Sequence, residues 1–243
     1  MSQRRAPPIE PLWLYGRHTV EAALGNPQRH QVKLLATRNA LGWLKERGRT
    51  ITIDPVTPKD IDKALPPGAV HQGLAMLANP LPSPSLAEIL ENGETGPLLV
   101  LDQITDPQNI GALFRLAAAF SAKAVIAQDR RTPPLGGPLA KAATGAVECV
   151  PFIPVVNISR ALEAIREKHI PIFGLAGEGA LSLRDTAPTR TCALVLGAEG
   201  KGLRPGVRAV CDQLVAIPID PQIESLNVAT AAAISLYHLG REG

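Results

Sequence analysis

Aromatic side chains are scarce in this chain: its 243 residues hold four Phe, two Trp and two Tyr. So few rings make a broad stacking platform for single-stranded nucleic acid improbable. Cysteines are also few. Cys149, Cys192 and Cys211 are odd in number and far apart, they form no CxxC pair, and none of the five histidines falls at ligand spacing with them. A disulfide framework and a structural zinc are therefore disfavoured, no metal is expected, and the likeness is to chains of a reducing cytosol. All three cysteines border apolar runs and are expected to be buried small hydrophobes. No apolar run approaches the roughly 18–20 residues of a membrane span. Arg4 and Arg5 near the start are followed by no apolar stretch of the kind a secretory signal needs. The expectation is a cytoplasmic protein with no membrane partner.

An excess of one charge is nearly absent overall, at a formal +3. Its distribution is uneven. Residues 1–80 carry eleven Lys and Arg against six Asp and Glu, concentrated at Arg29, Lys33, Arg38, Lys45, Arg47 and Arg49. Two readings stay open: an ordinary solvated face, or a surface that contacts phosphates and binds polyanions in a salt-dependent way. What is plentiful is apolar residues, 45% of the chain, together with 23 Pro and 21 Gly. That mixture supports a folded core with many loops between short elements.

Asn79-Pro-Leu-Pro-Ser-Pro-Ser85 is the clearest boundary, since three prolines in seven residues favour a stiff, extended tether. The expected division is a small domain over 1–79, a linker over 80–96 and a larger domain over 97–243. In the small domain the pattern predicts helices over Gly16–Leu24, Asn39–Glu46 and Thr57–Leu65. It predicts strands over Val32–Ala36, Thr50–Asp54 and Gly73–Ala78. Beyond the linker, the short apolar runs at 98–101, 124–127, 170–173, 193–196 and 214–217 fit strands buried on both faces of a parallel sheet. Helical patterns fall between and after them at Pro107–Phe120, Ile158–Lys168 and Leu226–Leu239. The fold class is α/β, with ligands expected at the carboxyl ends of the strands.

Three stretches carry chemistry. In Asp106-Pro-Gln-Asn-Ile-Gly-x-x-x-Arg115 a strand end leads into a helix that Asp106 caps and Pro107 opens. Asn109 and Arg115 lie about 240° apart around it at 100° per residue, so only a wrapping ligand or a second segment joins them. Asn109 is either a cap partner or a substrate contact. Arg115, set among apolar neighbours, is either a surface ion pair or the holder of an anion. Gly197-Ala-Glu-Gly-Lys-Gly202 follows a buried strand, and its glycines allow close approach to a ligand. Its spacing is neither G-x-x-x-x-G-K-[ST] nor G-x-G-x-x-G, which disfavours nucleotide phosphates. Glu199 inside that loop suggests a polar contact to substrate. In Ile217-Pro-Ile…Glu224-Ser-Leu-Asn-Val228, Ser225 and Asn227 either cap the following helix or serve a site. That helix is apolar almost all round, which places it between the sheet and a second subunit.

Taken in order, these three stretches resemble the motifs of the SpoU (TrmH-like) RNA ribose 2′-O-methyltransferases, and the resemblance covers residues 98 to 241. The N-terminal Tyr15-Gly-Arg-His18 and His71-Gln-Gly73 resemble the L30e-like RNA-binding domain of the bacterial enzymes of that family that methylate large-subunit rRNA guanosines. The resemblance implies a C-terminal trefoil-knotted parallel-sheet (SPOUT) domain, S-adenosyl-L-methionine as cofactor, a ribosomal RNA substrate and a homodimer built partly on the last helix. It implies catalytic or substrate roles for Asn109, Arg115, Glu199, Ser225 and Asn227. Cofactor contacts are implied for Gly197, Gly200, Ile217, Pro218 and Leu226, with Leu175 and Gly177 as a further wall. The chain departs from the family pattern at Ser121, where Gly is common, and at Asp220-Pro221-Gln222. A tRNA substrate, a non-catalytic RNA-binding relative and a dinucleotide-dependent oxidoreductase are the competing readings.

Overall fold

The computed structural model describes residues 10–178 and 181–240; the basic pair Arg4 and Arg5 lies outside them. The chain runs through β1 (Leu12–Tyr15), α1 (Arg17–Gly25), β2 (Gln31–Ala36), α2 (Arg38–Glu46), α3 (Pro58–Ala64), β3 (Leu74–Ala78) and α4 (Leu86–Glu91). It continues with β4 (Leu98–Asp102), α5 (Pro107–Ala119), β5 (Ala124–Gln128), α6 (Gly137–Ala143), β6 (Phe152–Val155) and α7 (Ile158–Glu167). It finishes with β7 (Ile172–Leu175), β8 (Leu181–Ser182), β9 (Ala193–Gly197), α8 (Pro205–Arg208), β10 (Gln213–Ala216) and α9 (Val228–Leu239). Two compact units result. The first takes the chain up to Pro82 together with Pro134–Glu148; the second takes Ser83–Pro133 and the chain from Cys149 onward.

In the first unit β1 and β2 both pair antiparallel with the central β3. Leu14, Val20, Leu44, Ile61, Leu74 and Met76 are fully buried around that sheet. The Thr57–Asp60 pair opens α3, where the Asp60 carboxylate accepts from the Thr57 backbone N–H at 3.2 Å and Pro58 takes the first turn. The strand expected at Thr50–Asp54 does not form. Ile51 and Ile53 do turn inward and their neighbours outward, but no ladder pairs this backbone. Alternation sets which side chains are covered; it does not supply a partner strand. Arg29 also departs from expectation. It is buried and paired with Glu148 at 2.7 Å, and its guanidinium donates to the Asn79 carbonyl at 2.8 Å, so it is no part of a basic surface.

Residues 79–85 carry no regular structure, but the linker range is broken by α4. Ser85 accepts from the Glu88 N–H while the Glu88 carboxylate accepts from the Ser85 N–H, and Ile89 is buried in the core of the second unit. That unit is built on a seven-stranded sheet, all parallel, in the order β6-β5-β4-β9-β7-β10-β8. Every residue of β4 is buried, and residues 98–101 are the continuous apolar run that a strand between two neighbours demands. Its neighbours β5 and β9 carry the chain away in opposite directions, which makes the β4–β9 junction the topological switch point.

The cysteine expectation holds only in part. Cys192 is buried and Cys211 half-buried, with burial pushing their thiols up to about 12 and about 11, but Cys149 is exposed. It follows a single short 3-10 turn, Ala146–Glu148, rather than lying within a core strand. Helix α9 starts at Val228 rather than Leu226, because Asn227 is its cap. It buries Val228, Ala232, Leu236 and Leu239, while Ile234 and Tyr237 on its other face are exposed. Among the described residues no helix is long and apolar enough to cross a membrane.

Candidate functional site

The carboxyl ends of β7, β9 and β10 feed three loops into one cavity of about 720 Å³. Leu175 and Gly177 line one wall from the end of β7. Gly197, Glu199 and Gly200 enter from the loop after β9, and Ile217, Pro218, Ser225 and Leu226 from the segment after β10. All seven positions expected to touch a cofactor therefore share one concavity of a size suited to a small organic ligand. The loop after β9 is turned tightly, with Gly202 N–H donating to the Ala198 carbonyl at 2.8 Å. A side chain at Gly197 would place its Cβ 2.3 Å from the Gly202 carbonyl carbon, so only glycine permits this closure.

A cluster of amides and one carboxylate joins the same loops to α5. Asp106 caps α5 by accepting from the Asn109 backbone N–H at 2.8 Å, which fixes Asn109 in the first turn. The Asn109 side-chain amide donates to Glu199 Oε1 at 3.4 Å. Asn227 Nδ2 donates to Asn109 Oδ1 at 3.0 Å and to Glu199 Oε1 at 2.9 Å. The Val228 backbone N–H, at the positive end of α9, points at the same oxygen at 3.4 Å. Donors thus converge on Oε1, and Glu199 Oε2 accepts from none of the described residues. Residues 109, 199 and 227, far apart in sequence, meet.

Arg115 does not join them. It is exposed, on the side of α5 away from the buried Ile110, Leu113, Phe114 and Ala117, and makes no hydrogen bond or ion pair among the described residues. Its neighbours Phe114 and Ala117 belong to the inward face, while the helical turn carries the guanidinium outward beside the exposed Ala118 and Ala119. Two further residues shape the site without having been singled out. Asp102, fully buried at the end of β4, accepts from the Arg204 side chain at 2.6 and 2.7 Å and from its backbone N–H at 2.9 Å. This pair pins the exit of the Gly-rich loop to the sheet. A carboxylate closing an otherwise apolar strand was the available signal for it, since a buried charge requires a partner. Among the described residues no group of three or more His, Cys, Asp or Glu is placed to hold a metal ion.

Comparison with known proteins agrees with this architecture. Residues 96–237 match the sequence model of the SpoU rRNA Methylase family, and residues 13–84 match that for RNA 2′-O ribose methyltransferase substrate binding. The 23S rRNA (guanosine-2′-O-)-methyltransferase RlmB of Pasteurella multocida is 37% identical over 241 residues, covering 94% of this chain and 97% of that protein. RlmB of Vibrio cholerae is 35% identical over 238 residues, covering 94% and 96%. A TrmH-family structure from Porphyromonas gingivalis has a TM-score of 0.76 at 26% identity, over 95% of this chain and 89% of that one. The SpoU methyltransferase AviRb from Streptomyces viridochromogenes, solved with AdoMet, has a TM-score of 0.78 at 23% identity, with the same coverage. The sequence matches extend over both units, and the chain belongs to the SpoU rRNA methylase family.

Proposed function

We propose that this chain methylates a ribose 2′-hydroxyl of RNA, at a guanosine of 23S ribosomal RNA, using S-adenosyl-L-methionine. The observation that carries the reading is the meeting of Asn109, Glu199 and Asn227 beside a cavity built from the loops after β7, β9 and β10. The residues fit the cofactor. Leu175, Leu196, Ile217 and Leu226 give apolar walls for an adenosine and a thioether, and the closure at Gly197 leaves backbone rather than side chain facing the ligand. When bound, S-adenosyl-L-methionine supplies an electrophilic methyl group on a sulfonium.

The protein's task is then to align the hydroxyl and remove its proton. Glu199, held at Oε1 by the amides, offers Oε2 to the hydroxyl hydrogen. Asn109 and Asn227 fix the direction of that carboxylate, and Ser225 on the cavity wall orients the ribose. Arg115 acts as a clamp on a neighbouring phosphate, because a guanidinium stays protonated at neutral pH and is a poor base. Its outward position suits a strand that wraps α5. The exposed Ile234 and Tyr237 of α9 form the face for a second copy of the chain, giving a homodimer that works in the cytoplasm. The test is transfer of a labelled methyl group to unmodified 23S rRNA fragments. Incorporation supports the reading; S-adenosylhomocysteine binding with no transfer favours a non-catalytic relative, and transfer to tRNA alone replaces the substrate.

A further inference from the structure

The methyl-transfer cavity makes no use of Tyr15-Gly-Arg-His18 or His71-Gln-Gly73, yet the first unit locks these two motifs together. The Arg17 backbone N–H donates to Gln72 Oε1 at 3.1 Å, its Nε to the Gln72 carbonyl at 3.4 Å, and the Gly16 N–H to the Leu74 carbonyl at 3.1 Å. His71 Nδ1 accepts from the Gly73 N–H at 3.0 Å, which leaves its Nε2–H to donate to Asp62 at 3.2 Å. Gln72 is held at φ 53°, a left-handed conformation that a non-glycine residue adopts at a cost. Around this junction lies a cavity of about 680 Å³, lined by Arg17, Asn39, Pro58, Val70, His71 and Gln72. Val70 is 62% exposed. Outside the cavity, the indole of Trp43 lies 5.4 Å from the Arg17 guanidinium carbon and 4.9 Å from that of Arg47.

We propose that this cavity takes one unpaired nucleotide of the RNA substrate, outside the segment that is methylated. The inference rests on the functional reading above and adds a specificity site to it. The chemistry of the lining selects the occupant. Pro58 and Val70 give an apolar wall for a base, and the amides of Asn39 and Gln72 match the donors and acceptors of its edge. The Arg17 guanidinium takes a phosphate, and its layering on Trp43 restricts its orientation so that less freedom is lost on binding. The two hydrogen bonds between Arg17 and Gln72 hold the amide and the arginine in one arrangement before RNA arrives.

Arg17→Ala and Asn39→Ala, each in the full chain, are compared with wild type for methyl transfer to the unmodified 23S rRNA fragment. The expected result is a KM for RNA raised about tenfold or more, with kcat at saturating RNA and S-adenosylhomocysteine affinity within about twofold of wild type. A Trp13→Phe chain, which leaves Trp43 as the one tryptophan, serves if Arg17→Ala does not fold; its emission is expected to change on titration with the RNA. KM values within about twofold of wild type in both variants, or unchanged Trp43 emission on saturation with RNA, overturn the proposal while methylation by wild type stands. Absence of methylation by wild type overturns the functional reading itself.

Discussion

Asn227 donates its side-chain amide to Glu199 Oε1 at 2.9 Å while its Oδ1 accepts from the Ala229 backbone N–H at 2.9 Å. One side chain therefore caps α9 and ties the start of that helix to the Gly-rich loop. The two tasks separate by substitution. Asn227→Ser keeps a capping oxygen and removes the amide donor, whereas Asn227→Ala removes both. The alanine variant is expected to lose about 1 kcal/mol of stability and the serine variant little of it, in denaturant unfolding. Both are expected to lose methyl transfer by about tenfold or more, the size of a lost charge-assisted hydrogen bond. A serine variant at wild-type rate would mean that Asn227 is only a cap.

The tight closure of the loop after β9 makes Gly197 sensitive to a single methyl group. Gly197→Ala places its Cβ against the Gly202 backbone and is expected to weaken S-adenosylhomocysteine binding about tenfold or more, read by calorimetry. Gly177→Ala has open space at its Cβ and serves as the contrast, with stability within about 0.5 kcal/mol of wild type. Equal affinity in Gly197→Ala and wild type would place the ligand elsewhere.

Ser121 sits at φ 52° just past the end of α5. The Ala122 N–H bonds the Ala117 carbonyl at 2.8 Å and the Ser121 N–H bonds that of Ala118 at 3.3 Å, the paired closure that calls for a left-handed residue here. A glycine would meet this demand without the steric cost that serine carries. Ser121→Gly is expected to stabilise the chain by about 0.5–1 kcal/mol without altering S-adenosylhomocysteine affinity. A lower unfolding midpoint would contradict the argument.

The three thiols differ in reach. Burial raises the Cys192 thiol to about 12 and that of Cys211 to about 11, so at pH 8 each is almost wholly protonated and gains thiolate only as pH rises toward those values. Cys149 is exposed. Iodoacetamide at pH 8 is expected to label Cys149 alone in the folded chain and all three after unfolding, as peptide mass spectrometry reads out. Prompt labelling of Cys192 in the folded chain would contradict the burial.

Much of the second unit was legible because its signals are local. Residues 98–101 of β4 are an unbroken apolar run, Asp106-Pro107 announces a helix start, and the order of the three motifs carried the family resemblance. What stayed hidden depended on partners. Ile51 and Ile53 alternate as a strand would, but pairing is a property of the neighbouring backbone. Residues 134–148 pack with the first unit, through contacts such as Glu148 with Arg29 that sit 119 residues apart. Phe114 and Ala117 next to Arg115 describe the inward face of α5, and only the helical turn reveals that the arginine lies on the other side.

Glu199, oriented by Asn109 and Asn227, is the proposed base for a ribose hydroxyl at this cavity. Nucleoside mass spectrometry of unmodified 23S rRNA after reaction tests that role, with wild type and Glu199→Gln side by side. Wild type is expected to yield 2′-O-methylguanosine at one position, and Glu199→Gln to lose about a hundredfold or more of it with S-adenosylhomocysteine still bound. A methyl group found on a base, or full ribose methylation by Glu199→Gln, would contradict it.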